Sequence, residues 1–124
     1  MGQLLQPADY LDAAKEMLST ESEAFSRSAI SRAYYACYHE ALGVAGSLGY
    51  ESPTHEVSAH RQLHSFLIRN NDKKTKEIGV RLQALHRKRV DADYKLQLSI
   101  SVKNAKFAVM ESMGVMGLCD IVRD

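Results

Sequence analysis

The sequence predicts an all-α fold, and three observations predict it. Only two prolines interrupt the chain, Pro7 and Pro53, and both lie outside the long periodic stretches, which leaves helices free to run for many turns. Within those stretches apolar residues recur every three or four positions, the repeat of one helix face packing on another. The composition, 45% hydrophobic and 25% charged over 124 residues, is that of a single globular domain spanning 1–124. It excludes a disordered, collagen-like or mucin-like chain. The architecture expected is an up-and-down bundle of four to five helices with mostly antiparallel neighbours.

Pro7 suits the first turn of a first helix, in which Ala8, Leu11 and Leu18 share a face up to about Thr20. A second helix starts near Ser22 or Glu23 and runs to Gly49. Its residues Ile30, Tyr34, Cys37, Ala41, Val44 and Leu48 step by four and three, the seam of a bundle. A second stripe, Tyr35, Tyr38, Leu42 and Ala45, lies about 100° around the same cylinder. One helix with two apolar faces needs two neighbours, either another internal helix or a partner subunit.

Residues 50–57 read as a loop. A shorter helix over about 58–69 buries Leu63, Phe66 and Leu67, and Asn70, Asn71 and Asp72 supply turn and N-cap chemistry for the next. The fourth helix presents Ile78, Leu82 and Leu85, and its next seam position is Arg89 rather than a leucine. After a break at 91–95, a last helix shows Leu98, Val102, Ala105, Val109, Ser112 and Met116 and fades after Gly117.

No run of 18 apolar residues is present to span a membrane, and residues 1–20 carry Asp9, Asp12, Lys15 and Glu16 where a secretory signal would need an apolar core. Two cysteines, Cys37 and Cys119, lie far apart without metal spacing, so a cytoplasmic location is expected. The net charge of +1 conceals a division along the chain. Residues 1–58 hold three basic and eight acidic groups, a net of −5, whereas residues 59–106 hold twelve and four, a net of +8. The basic half could face a polyanion or the acidic half of a second copy; a solvated lysine-rich turn at Lys73, Lys74 and Lys76 is the plainer alternative.

An arginine on an inward-facing seam must find a carboxylate, a carbonyl cluster or a phosphate, because an unpaired buried guanidinium is too costly to keep. Asp91 and Asp93 lie within four positions of Arg89 and could clamp it; alternatively Arg89 sits at a cleft and grips a phosphate with its planar fork. On the second helix Arg32, Tyr35 and His39 line one face, a trio able to bind phosphate and move a proton, or an ordinary amphipathic surface. The basic helix at 73–89, including Arg87 and Lys88, adds phosphate-binding candidates. Glu56, His60 and His64 step by four, but His55 and these imidazoles form no H-E-x-x-H, so no metal is expected. Glycine-rich nucleotide loops and hydrolase elbows are absent, and no cofactor is expected.

The run Ser31-Arg32-Ala33-Tyr34-Tyr35-Ala36-Cys37-Tyr38-His39-Glu40-Ala41, followed some fifty residues later by Arg89-Val90-Asp91-Ala92-Asp93-Tyr94, resembles the small HEPN domains of prokaryotes over about residues 5–115. The closest likeness is to the branch with S-R-A-Y-Y-A on its second helix and R-x-x-A-D-Y after its fourth. The resemblance implies a helical bundle, a homodimer whose fourth helices line a shared cleft, and RNA as the partner. It also implies metal-independent endoribonuclease activity in toxin–antitoxin or phage-defence systems, often beside a nucleotidyltransferase antitoxin. The family's catalytic pattern is arginine, four to six residues, then histidine. Its arginine would stabilise charge on the phosphate while the histidine assists attack by the 2′-hydroxyl.

Here that pattern is incomplete. Counting from Arg89 reaches Tyr94, Lys95 or Leu96, and from Arg87 reaches Ala92, Asp93 or Tyr94. Arg81 and His86 match literally, but about one such match is expected by chance and the two point about 140° apart on a continuous helix. Catalysis would therefore fall to Arg89 and Asp93 with Tyr94, His39 or an imidazole across a dimer cleft. A HEPN module that binds RNA or a partner protein without cutting stands as the alternative.

Overall fold

The computed structural model describes residues 5–53 and 58–123. Five helices pack together, α1 (Pro7–Leu18), α2 (Glu23–Ser47), α3 (Ala59–Ile68), α4 (Lys73–Tyr94) and α5 (Val102–Arg123), with no strand among the described residues. None of these helices is long and apolar enough to cross a membrane.

The helix starts follow from local chemistry. Pro7 opens α1, where Asp9 accepts the Gln6 backbone N–H at 2.8 Å. Ser22 caps α2 by accepting from the Phe25 N–H at 3.3 Å, and Asp72 caps α4 by accepting from both the backbone N–H and the hydroxyl of Thr75 at 2.9 Å. Those two bonds hold the Asp72 carboxyl below its ordinary range.

Helix α2 is the central element and touches all four others. The expected seam is buried from Ile30 to Val44, but Leu48 lies past the helix end and is exposed. A third face was not anticipated: Ala29, Ala33 and Ala36 are fully buried against Leu11 and Ala14 of α1 and Val109 of α5. Alanines there let α1 approach the α2 backbone closely. In α1 the buried pair is Leu11 and Ala14, whereas Ala8 is exposed. The second neighbour that α2 required is internal, with Tyr38, Leu42 and Ala45 packed on the main core.

Helix α4 buries Ile78, Leu82 and Leu85 as expected and runs to Tyr94, so the break anticipated at 91–95 falls a few residues later, over 95–101. Leu98 is exposed in the turn before α5, and α5 runs past Gly117 to Arg123 because Cys119 is buried and Leu118 and Val122 pack on the main core. What ends α4 is Arg27 of α2, only 9% exposed. Its guanidinium donates to the carbonyls of Asp91 (3.4 Å), Ala92 (2.9 Å), Lys95 (3.3 Å) and Leu98, and its Nε donates to Glu23 at 3.0 Å. These carbonyls belong to the helix end and the turn beyond it; those of Asp91 and Lys95 also accept the backbone N–H of Lys95 and Leu98, each at 3.1 Å.

Candidate functional site

The last two turns of α4 meet the third turn of α2, and there the two sequence motifs come together. Arg89 and Asp93 lie one turn apart on α4; Arg89 Nε donates to Asp93 Oδ2 at 2.8 Å, and the Ser31 hydroxyl on α2 donates to the same oxygen at 3.1 Å. Their side chains are 18% and 24% exposed, so the pair is neither solvated nor sealed. The guanidinium carbon stands 5.8 Å from the centre of the Tyr94 ring, itself largely exposed. Asp93 is thus the partner of Arg89, while Asp91 pairs with Lys95.

Beside this pair lies a cluster of imidazoles and phenols drawn from three helices. Tyr34, buried on α2, has its hydroxyl 2.7 Å from His60 Nδ1 and 3.2 Å from His64 Nε2, both on α3. The rings of His60 and His86 stack with centres 4.9 Å apart; His64 meets His86 edge-on at 5.3 Å. Tyr38 lies 4.4 Å from His60. A phenol can donate its proton only once, so one imidazole accepts from Tyr34 and the other donates to it.

Burial sets the protonation of this cluster. Desolvation first, then the neighbouring charge of His86 and others including Arg89, brings His60 down to about 4; desolvation with His86 and His60 does the same for His64. His86 is lowered by burial and by Arg89, while burial raises the Tyr34 phenol far above neutrality. At neutral pH the cluster therefore presents neutral imidazoles and a protonated phenol beside a fixed guanidinium. Such a set can accept and pass protons next to a group that binds an anion.

The other candidates do not converge on Arg89. Tyr35 and His39 stack at 5.3 Å with planes 8° apart, and both stack on Tyr10 of α1; Arg32 is exposed on the same helix. His39 also meets Tyr38 edge-on, so it borders the imidazole cluster from outside. Arg87 is exposed, whereas Lys88 turns toward α5, ion-paired with Glu111 and 5.0 Å over the Phe107 ring. Arg81 pairs with Glu77 while His86 enters the cluster, as expected of residues on opposed sides of a helix.

Sequence reasoning missed Arg27 and the joint role of Tyr34, His60, His64 and His86. The spacing of His60 and His64, flanking Leu63 on an inward face, was a legible signal, but nothing in it pointed to Tyr34. Glu56 and His55 lie outside the described residues, and among those described no group of histidines, cysteines and carboxylates is arranged to hold a metal ion. No protein-family model, curated protein or solved structure matches this chain.

Proposed function

We propose that this chain is a HEPN-type helical protein of the cytoplasm that acts on RNA, as a metal-independent endoribonuclease of the toxin–antitoxin or phage-defence kind. The single observation that carries the reading is the half-buried Arg89, held where the two resemblance motifs meet through Ser31 and Asp93 and beside neutral imidazoles. Arg89 would bind the scissile phosphate through the edge not taken by Asp93, and Tyr94 would border it. The proton transfer that the incomplete Arg-x4-6-His pattern leaves unassigned falls to His60 or His86, the two imidazoles that lie within the electrostatic reach of Arg89. The imidazole would accept the 2′-hydroxyl proton as that oxygen attacks phosphorus and the P–O5′ bond breaks; the leaving 5′-oxygen takes a proton from water, and a 2′,3′-cyclic phosphate remains. The +8 charge of residues 59–106 favours a polyanion, and the −5 of residues 1–58 suits a basic partner, a second copy or an antitoxin of the nucleotidyltransferase type.

One observation favours the second reading, a module that binds RNA or a partner protein without cleavage. Arg89 is already satisfied by Asp93, which Ser31 also holds, so the guanidinium serves the fold whether or not it meets a ligand. Bulk RNA incubated with the purified protein in EDTA separates the two. Cleavage that Arg89→Ala and His60→Ala abolish supports the enzyme; intact RNA that is bound and released by added salt supports the module. RNA neither cut nor bound would refute both.

A further inference from the structure

Where α2, α4 and α5 meet near the end of α4, the side chains leave a space unfilled. The buried residues at that junction are Ile30, Ala92, Ala105 and Ala108, so three of the four positions supply only a methyl group. An open cavity of about 400 Å³ results, within the size of small-ligand sites. Ile30 of α2, Leu98 and Ile100 of the turn at 95–101 and Phe107 of α5 give it an apolar lining. Leu98 and Phe107 do not close it; they stay 41% and 57% exposed. Apolar surface is thus held open to solvent around room for an apolar group.

The charges around the cavity say what that group carries. Lys88 lies over the Phe107 ring and pairs with Glu111, and Asp91 pairs with Lys95, so these four charges cancel. Asn104 and Phe107 also line an adjoining hollow of about 450 Å³, together with Lys103, Lys106 and Met110. Neither of those two lysines has an ion pair among the described residues. They stand three residues apart on α5, near enough for one anionic group to sit between them. The Asn104 side chain, common to both hollows, has no hydrogen-bond partner among the described residues and can donate to such a group. A cation would be repelled there, and a neutral ligand would leave both ammonium groups unused.

We propose that this cavity binds a small amphipathic carboxylate, with its hydrocarbon tail against Ile30, Leu98 and Ile100 and its head group between Lys103 and Lys106. Neither Arg89 nor Asp93 lines the cavity, so the assignment stands apart from the RNA reading. An occupant fastens the turn at 95–101 to α5 and steadies the end of α4 that Arg27 holds.

Straight-chain carboxylates from hexanoate to decanoate, titrated calorimetrically into the full-length protein below their micellar concentrations, should bind one to one. Affinity should rise by about fourfold per added methylene and level off once the cavity is full. Octanol and octylammonium should bind about fivefold more weakly than octanoate. Phe107→Ala and the double variant Lys103→Glu/Lys106→Glu, all at exposed positions, should keep the wild-type circular dichroism and each weaken octanoate by about tenfold. Backbone amide resonances should shift most over residues 98–107 and little in α3. Absence of saturable binding, equal uptake of the three octyl compounds, binding indifferent to both variants, or attachment only to phosphatidylglycerol vesicles would overturn the proposal.

Discussion

Replacing Arg27 with methionine tests how the end of α4, and with it Arg89, Asp93 and Tyr94, is held in place. The substitution keeps the apolar stem and removes a guanidinium that satisfies carbonyls of Asp91, Ala92, Lys95 and Leu98 at once. Glu23, 48% exposed, can rehydrate when its partner goes, so the loss comes chiefly from the carbonyls, the one at Ala92 being buried. A hydrogen bond from a charged donor contributes about 1.5–3 kcal/mol, and breaking a buried charged arrangement costs about 3–5 kcal/mol. Partial access of water to the turn at 95–98 places the expected loss near 3 kcal/mol. For a chain of this length the unfolding entropy converts each 1 kcal/mol into about 4 °C, so Tm should fall by about 12 °C. Circular dichroism at 222 nm through a thermal ramp reads this directly. Arg27→Lys should recover about half, since an ammonium with three donors cannot span the carbonyls a planar fork reaches. A loss below about 1 kcal/mol, or lysine performing as well as arginine, would refute the claim that this fork ends α4.

Three further outcomes follow from the geometry. Acid should destabilise the fold: His60 and His64 take up protons at about 4 in the folded state against an ordinary 6.5, so the unfolded chain binds more protons between those values and stability is lost as pH falls through them. Tm measured from pH 7.5 to 4.5 should drop more steeply for the wild type than for His64→Gln, and equal slopes would remove the imidazoles from the account. Gly79→Ala should cost about 1–3 kcal/mol by overpacking, because the added carbon would lie 2.8 Å from the Ile68 backbone nitrogen and 2.9 Å from Leu67 Cβ where α3 and α4 meet; chemical denaturation checks it. The Cys37 and Cys119 thiols, pushed up to about 12 by burial, should resist a thiol-labelling reagent at pH 8 until denaturant is added, and rapid labelling of the native protein would contradict their placement.

The sequence by itself determined the helical class, the starts of α1, α2 and α4 and most of the main core. Proline spacing, caps such as Ser22 and Asp72, and the step from Ile30 to Val44 are local signals, readable because each depends on residues a few positions apart. The same locality made Arg89 conspicuous and offered Asp93 as its clamp. Only the tertiary structure decided where α4 stops, because the donor that satisfies its last carbonyls comes from Arg27, more than sixty residues earlier. Ser31 joining Asp93, and Tyr34 bridging His60 and His64 beside His86, were equally hidden. Such contacts are set by how three helices rotate and settle against one another, and side-chain spacing along a single helix carries no record of that rotation.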